Sequence, residues 1–172
     1  VLDRNLTSLR SFSSETVSHV RELTEQDNIL RQLAHLIVQS GFLGVFIARL
    51  DEHGDFRGRV YKFTNKENTT SEEIVIKKDS NVPLLESRKE QKVVMASLRE
   101  FPSRTHFEEA HPFHPKVKEF LGFQVKNFVN YHEGEFSIIA FNKRRGIDEY
   151  DPVFIETAVN NTRSIGYLLD LA

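Results

Sequence analysis

The chain joins its strand-forming runs by turns too tight for a crossover, and this limits the kind of sheet it can build. Leu43 to Leu50 is rich in β-branched and aromatic residues, and Phe56 to Phe63 answers it across Asp51-Glu52-His53-Gly54-Asp55. Parallel strands need a connection of about a dozen residues or more, whereas a five-residue loop with a glycine makes a hairpin. The pattern recurs where Phe123 to His132 meets Phe136 to Lys143 across Glu133-Gly134. Asp51, Glu52 and Asp55 are read as turn formers. A hydrolase needs two carboxylates facing one substrate across a cleft, and a hairpin tip is convex.

Helical periodicity brackets these hairpins. From about Ser14 to Ser40, Leu23, Leu30, Leu33, Ala34 and Ile37 return at three- and four-residue steps, and Gly41 ends the run. Asp148 to Leu171 reads as a long closing helix. Between the hairpins lie a polar loop at Thr64–Ser71, a short alternating strand at Glu73–Lys77 and a short helix at Asn81–Ser87. A strand at Lys92–Leu98, an irregular stretch at Glu100–Pro115 and a short helix at Lys116–Leu121 stopped by Gly122 follow. The expected architecture is α+β: an antiparallel sheet flanked by long N- and C-terminal helices and short covering helices. The 172 residues fit one core, so a loose segment at 1–13 and a single domain at 14–172 are expected.

Several function classes are disfavoured by composition. The chain has no cysteine, which removes disulfides, thiol nucleophiles and thiolate metal ligands and suits a reducing cytosol. Formal net charge is -2 and no basic stripe stands out, so no nucleic-acid partner is expected. The longest apolar stretch, Phe42 to Ala48, is too short to span a bilayer, and no signal peptide opens the chain. A first residue of Val is compatible with a segment of a longer protein. Three glycosylation sequons, at Asn5, Asn68 and Asn160, are read as chance. A cytoplasmic location is expected.

Three segments together resemble a GAF domain, a member of the PAS-like sensory superfamily. They are the helix that ends at Gly41 and feeds GVFIARLDEHGDFRGRVYKF, the run LGFQVKNFVNYHEGEFSIIAFNKRRG, and the tail IDEYDPVFIETAVNNTRSIGYLLDLA. The resemblance spans about Ser14 to Ala172. It implies a six-stranded antiparallel sheet with helices on both sides, and small-molecule binding or dimerisation within a signalling protein of bacterial type. Some cyclic-nucleotide-binding members carry Asn-Lys, then Phe, then Asp-Glu. Asn142, Lys143 and Asp151 match, but Ile147 and Pro152 depart, so cyclic nucleotides are disfavoured. Members that reduce methionine sulfoxide or attach a bilin within this domain need cysteine.

The candidate site residues are scattered. His106, His111 and His114 lie close in sequence beside Glu108 and Glu109. The spacing is not that of a helical zinc pair, and a Pro after both His111 and His114 favours an extended loop. They are read as a polar loop rather than a metal site, with a haem or organic-ligand contact as the intermediate reading. Arg49, Tyr61, Arg104, His111, His114, Asn127 and Phe128 form the candidate ligand set. Arg49 and Tyr61 pair a cation with an aromatic, and Asn127 is polar in an apolar strand. Ser11, Ser13 and Ser14 with His19 are read as helix-capping residues. On the closing helix, Phe154, Ala158, Ile165 and Leu169 are expected to pack inward. Val153, Tyr167, Leu168 and Leu171 form a second stripe, expected at a homodimer interface unless the opening helix covers both stripes.

The expected function is a non-catalytic sensory or regulatory domain. It would bind a small molecule between the sheet and Glu100–Leu121 and relay the signal to an output domain. The alternative is a dimerisation module with no ligand. The residues name no cofactor.

Overall fold

The run Phe42–Leu50 is apolar on both sides of its alternation because both faces of the strand it forms are covered. In the computed structural model, which describes residues 19–63, 69–78, 92–134 and 136–171, this run is β1, near the centre of a sheet. The strands β2 (Phe56–Phe63), β3 (Thr69–Ile76), β4 (Val93–Ser97), β5 (Asn127–Glu133) and β6 (Phe136–Lys143) complete a six-stranded sheet of order β3-β2-β1-β6-β5-β4. Every pairing is antiparallel. β3 and β4 sit at opposite edges of the sheet.

Helices α1 (His19–Gln39) and α4 (Asp151–Leu171) pack against each other on one face. Their side chains are described from Asn28 and up to Thr162. Leu33, Ala34 and Ile37 of α1 and Ile155, Ala158 and Val159 of α4 meet Val45, Ile47, Tyr61, Val129, Tyr131, Ile138 and Ala140. The inward stripe of α4 therefore differs from the expected one. Ala158 is inside, but Phe154 is 40% exposed, and Ile155 and Val159 take the buried positions. Ile165, Leu169, Tyr167, Leu168 and Leu171 have side chains outside the described residues, as do the 1–13 segment and the Asn81–Ser87 helix.

The opposite face is covered by two short helices, α2 (Arg104–Ala110) and α3 (Pro115–Leu121), after a 3-10 turn at Leu98–Glu100. Glu100–Pro115 is thus partly helical rather than irregular. The helix α2 has one buried side chain, Phe107, so no apolar repeat marks it in the sequence. Ser103 caps it by accepting a bond from the His106 amide. Helix α3 opens on Pro115 and is closed by Gly122 at φ 70°, a left-handed position that glycine takes without steric cost. Val117 and Leu121 anchor it, with Leu121 lying over Gly44, where a Cβ would come within 2.6 Å of Leu121 Cδ2. The core here adds Phe46, Phe56, Val60, Ile74, Ile76, Phe113, Phe128, Ile139 and Phe141.

Candidate ligand-binding face

The face under α2 and α3 has two unlike halves. Across one row of paired positions, Phe128 of β5 stands beside Phe141 of β6, and Gly44 of β1 follows. Aromatic rings fill this half. Phe113 meets Phe128 and Phe141 edge-on, each at 5.3 Å between centroids, and Phe101, Phe107 and His111 close the stack. Such edge contacts add to the burial of the rings themselves. α2 therefore sits on a packed aromatic layer while α3 packs over β2 and β3, and the part of the expected pocket under α2 is filled by side chains.

The other half is small and polar. Alternation places Asn130 and His132 on the same face as Phe128, and Ser137 on the same face as Ile139 and Phe141. His132 pairs with Ser137, Ser137 with Ala48, and Ala48 with Gly58, giving a row of declining side-chain size. Asn130, His132 and Ser137 are all buried, Asn130 with 1% of its surface exposed. Asn130 Nδ2 donates to Ser137 Oγ at 3.1 Å and to the Ile138 carbonyl at 3.0 Å. The carbonyl fixes the amide orientation, since a flip would set oxygen against oxygen. Among the described residues, Asn130 Oδ1 accepts no hydrogen bond. A buried acceptor without a donor is costly, which makes this atom an unusual feature of the face.

The expected ligand set does not converge. Arg49 and Tyr61 lie on the helix-pair side of the sheet, Arg49 exposed and Tyr61 buried among the α1 and α4 contacts. Arg49 pairs with Arg57 and Tyr61 with Val45, so they are four positions apart along the ladder. Arg104 donates to the Val125 carbonyl at 3.4 Å and stands 3.9 Å from Glu108. Phe128 is wholly inside the aromatic stack, with His111 at 5.0 Å. His114 caps α3, its Nδ1 accepting from the Lys116 amide at 3.2 Å. Burial holds its imidazole below the usual pKa, and the Lys116 ammonium pushes the same way. His106 Nδ1 contacts Ser103 Oγ at 2.6 Å. This serine–histidine contact stands at an exposed helix start, with Ser103 at the cap and His106 three residues on, the spacing of a capping box. Among the described residues, no three His, Asp or Glu side chains gather as metal ligands.

Asn127 has a structural task. Its Oδ1 accepts from the Lys143 amide at 2.8 Å, while Asn142 Oδ1 accepts from the amides of Lys126 and Asn127 at 2.6 and 3.2 Å. Asn142 Nδ2 donates to the Gln124 carbonyl at 2.8 Å. Lys143 then reaches Asp151 Oδ1 at 2.5 Å, tying β6 to the first turn of α4. The Asn-Lys and Asp positions of the family motif are therefore joints of the fold here. At the other hairpin, Asp51 Oδ1 accepts from the amides of His53 and Asp55, as a turn former does. Asp55 is tied by the Lys78 amide, which with the Lys77 charge holds its carboxyl below the usual range.

Sequence reasoning missed Asn130, His132 and Ser137. Their signal is a polar residue at every second position of β5 beyond Phe128, facing the one hydroxyl of an otherwise apolar β6 stretch.

No family model matches the chain, and no curated protein matches it. Among solved structures, the fold is similar to the GAF domain/HD domain protein from Geobacter sulfurreducens. The TM-score is 0.56 at 13% identity, covering 90% of this chain and 100% of that one. The chain has a GAF-like fold. Among the described residues, no helix is long and apolar enough to cross a membrane.

Proposed function

We propose that the chain is a non-catalytic sensory or regulatory module that binds a small molecule on the polar half of its covered face. The observation that carries this reading is Asn130 Oδ1, a buried acceptor that among the described residues has no donor, inside a largely apolar sheet face. A ligand with a hydrogen-bond donor would remove that cost, and binding would shift the balance between two arrangements of the domain. α1 and α4 lie on the far side of the same sheet and would carry the change to a neighbouring output domain. The similar Geobacter protein combines a GAF and an HD domain, which supports a place within a longer signalling chain. Native mass spectrometry of freshly purified protein tests the reading. A bound small molecule in wild type, lost in Asn130→Leu, is expected; an unliganded wild type that binds nothing from a metabolite extract would overturn it.

Dimerisation is a second proposal, and the exposed apolar start of α4 favours it. Tyr150, Val153 and Phe154 stand at three- and four-residue steps on the outer side of the helix.

A further inference from the structure

We infer that the polar half of the covered face is built to read a neutral cis-amide edge, the N–H and C=O pair of a lactam, imide or ureide. The inference rests on the ligand-binding reading above and names the chemistry it would recognise. Asn130 Oδ1 offers an acceptor with no partner among the described residues. Ser137 Oγ already accepts from Asn130 Nδ2, which directs the hydroxyl hydrogen away as a donor. The amide that carries the acceptor is joined to the hydroxyl that can donate by the 3.1 Å bond from Nδ2 to Oγ, and the two groups are taken as one floor.

The complement of that floor is a group presenting one donor and one acceptor in the same order. A cis-amide has this form. A carboxylate lacks the donor and an ammonium lacks the acceptor. Charge points the same way. Among the described residues, the buried polar ones are Asp55, Asn127, Asn130, His132, Ser137, Asn142 and Asp151, and no lysine or arginine is among them to neutralise an anion. Of these, Asp55 is engaged by Lys77 and Lys78, and Asp151 by Lys143 on the far side of the fold. Among the described residues, His132 is the titratable neighbour on this part of the face, through its pairing with Ser137. The flanking positions are Val94 beside Asn130, Ile139 on the other side, and Ala48 beside Ser137. They provide apolar walls and one small residue around a planar polar edge, which is the usual composition of a small-molecule site.

A titration of the 15N-labelled full chain followed by NMR tests this. The probes are 2-piperidone and uracil, which carry the N–H and C=O edge. The controls are N-methyl-2-piperidone, which keeps the carbonyl but has no donor, and benzoate, an anion. Saturable shifts at the Asn130 side-chain amide and at the His132 and Ser137 amides are expected with both probes. Binding of the N-methylated control should be weaker by about tenfold or more, the effect of one lost hydrogen bond to a buried group. Ser137→Ala leaves the Asn130 bond to the Ile138 carbonyl in place, so it should stay folded and bind the probes about tenfold more weakly. Asn130→Leu should abolish binding; it also removes the donor to Ser137 Oγ and the Ile138 carbonyl, so a folded protein with a lowered Tm is expected. Equal binding of the N-methylated control, preferred binding of benzoate, or shifts absent with both probes would overturn the inference. So would evidence that one ordered water satisfies both atoms and is not displaced. If native mass spectrometry still finds a bound molecule without an amide edge, the ligand-binding reading survives and the amide chemistry fails.

Discussion

At Asn142 the chain turns to φ 56°, the one positive value among the described non-glycine residues. An L-residue other than glycine takes this conformation at a cost, and asparagine less so than most because its short amide bonds locally. Here the amide makes three such bonds, to Lys126, Asn127 and Gln124, and so holds the entry of β5 against the exit of β6. Asn142→Ala should lose the bonds and keep the backbone strain, costing about 2–4 kcal/mol in urea unfolding. Asn142→Gly should be milder by about 1 kcal/mol, since only the bonds are lost. Equal stabilities would show that backbone strain is absent at this joint. His114 sets a pH dependence. Its folded pKa lies below the ordinary imidazole value because burial disfavours the charged form. The unfolded chain then binds the proton more readily, so stability is full above about pH 6.5 and falls as pH drops through the folded value. Protonation also removes the acceptor that caps α3. Thermal melts between about pH 7.5 and pH 5 should show a smaller loss of Tm in His114→Asn, which can cap in either condition. An unchanged pH profile would exclude His114 as a contributor.

The elements divide into those whose pattern announces them and those defined by burial alone. The two hairpins are legible because strand-forming runs meet glycine-bearing turns, and pairing of Leu50 with Phe56 and of Glu133 with Phe136 follows from those turns. Thr69–Ser71 is less legible. Polar residues suit an edge strand that pairs on one side only, so they read as loop. α2 is illegible for a similar reason, with Phe107 its single buried residue in two turns. The polar half of the covered face was hidden more deeply. A polar residue in a strand is ordinarily read as facing water, and only the covering of both faces turns Asn130 and Ser137 into buried groups. Arg49 and Tyr61 show the converse error: nearness in a hairpin does not bring together side chains four ladder positions apart. Close approach between strands makes a further test. A Cβ on Gly58 would stand 2.0 Å from the Ile47 carbonyl oxygen and 2.6 Å from Ala48 Cα. Neither is the movable end of a side chain, so Gly58→Ala has to push β1 and β2 apart. A loss of about 2 kcal/mol or more and faster hydrogen exchange in β2 and β3 are expected. Gly134→Ala is the control, because nothing lies within 4 Å there and only the φ of 59° opposes it, at about 1 kcal/mol.

For the molecule as a whole, the apolar surface at the start of α4 bears on the proposed dimer. Tyr150, Val153 and Phe154 are 72%, 60% and 40% exposed. Single exposed apolar residues are ordinary, but three at i, i+3 and i+4 make one continuous patch. The patch is helical in fact, since the Phe154 amide donates to the Tyr150 carbonyl at 2.9 Å. Ile155, Ala158 and Val159 on the other side of α4 are buried against the sheet and α1, so the helix is already anchored without the patch. A two-fold axis near Val153 would set each patch against its copy, the commonest arrangement for a self-complementary surface. Three side chains fall well short of the roughly 800 Å² per partner of a stable interface, so the association should be weak unless more of α4 joins it. Sedimentation or light scattering should therefore show dimer forming with concentration, with a midpoint near about 10 µM or weaker. Val153→Glu with Phe154→Glu should abolish it and leave Tm unchanged within about 2 °C, because both side chains already face water in the single chain. Wild-type protein that stays monomeric at about 200 µM would overturn the dimer. A double variant that unfolds would instead show that these side chains stabilise the monomer, and the patch would lose its role as an interface.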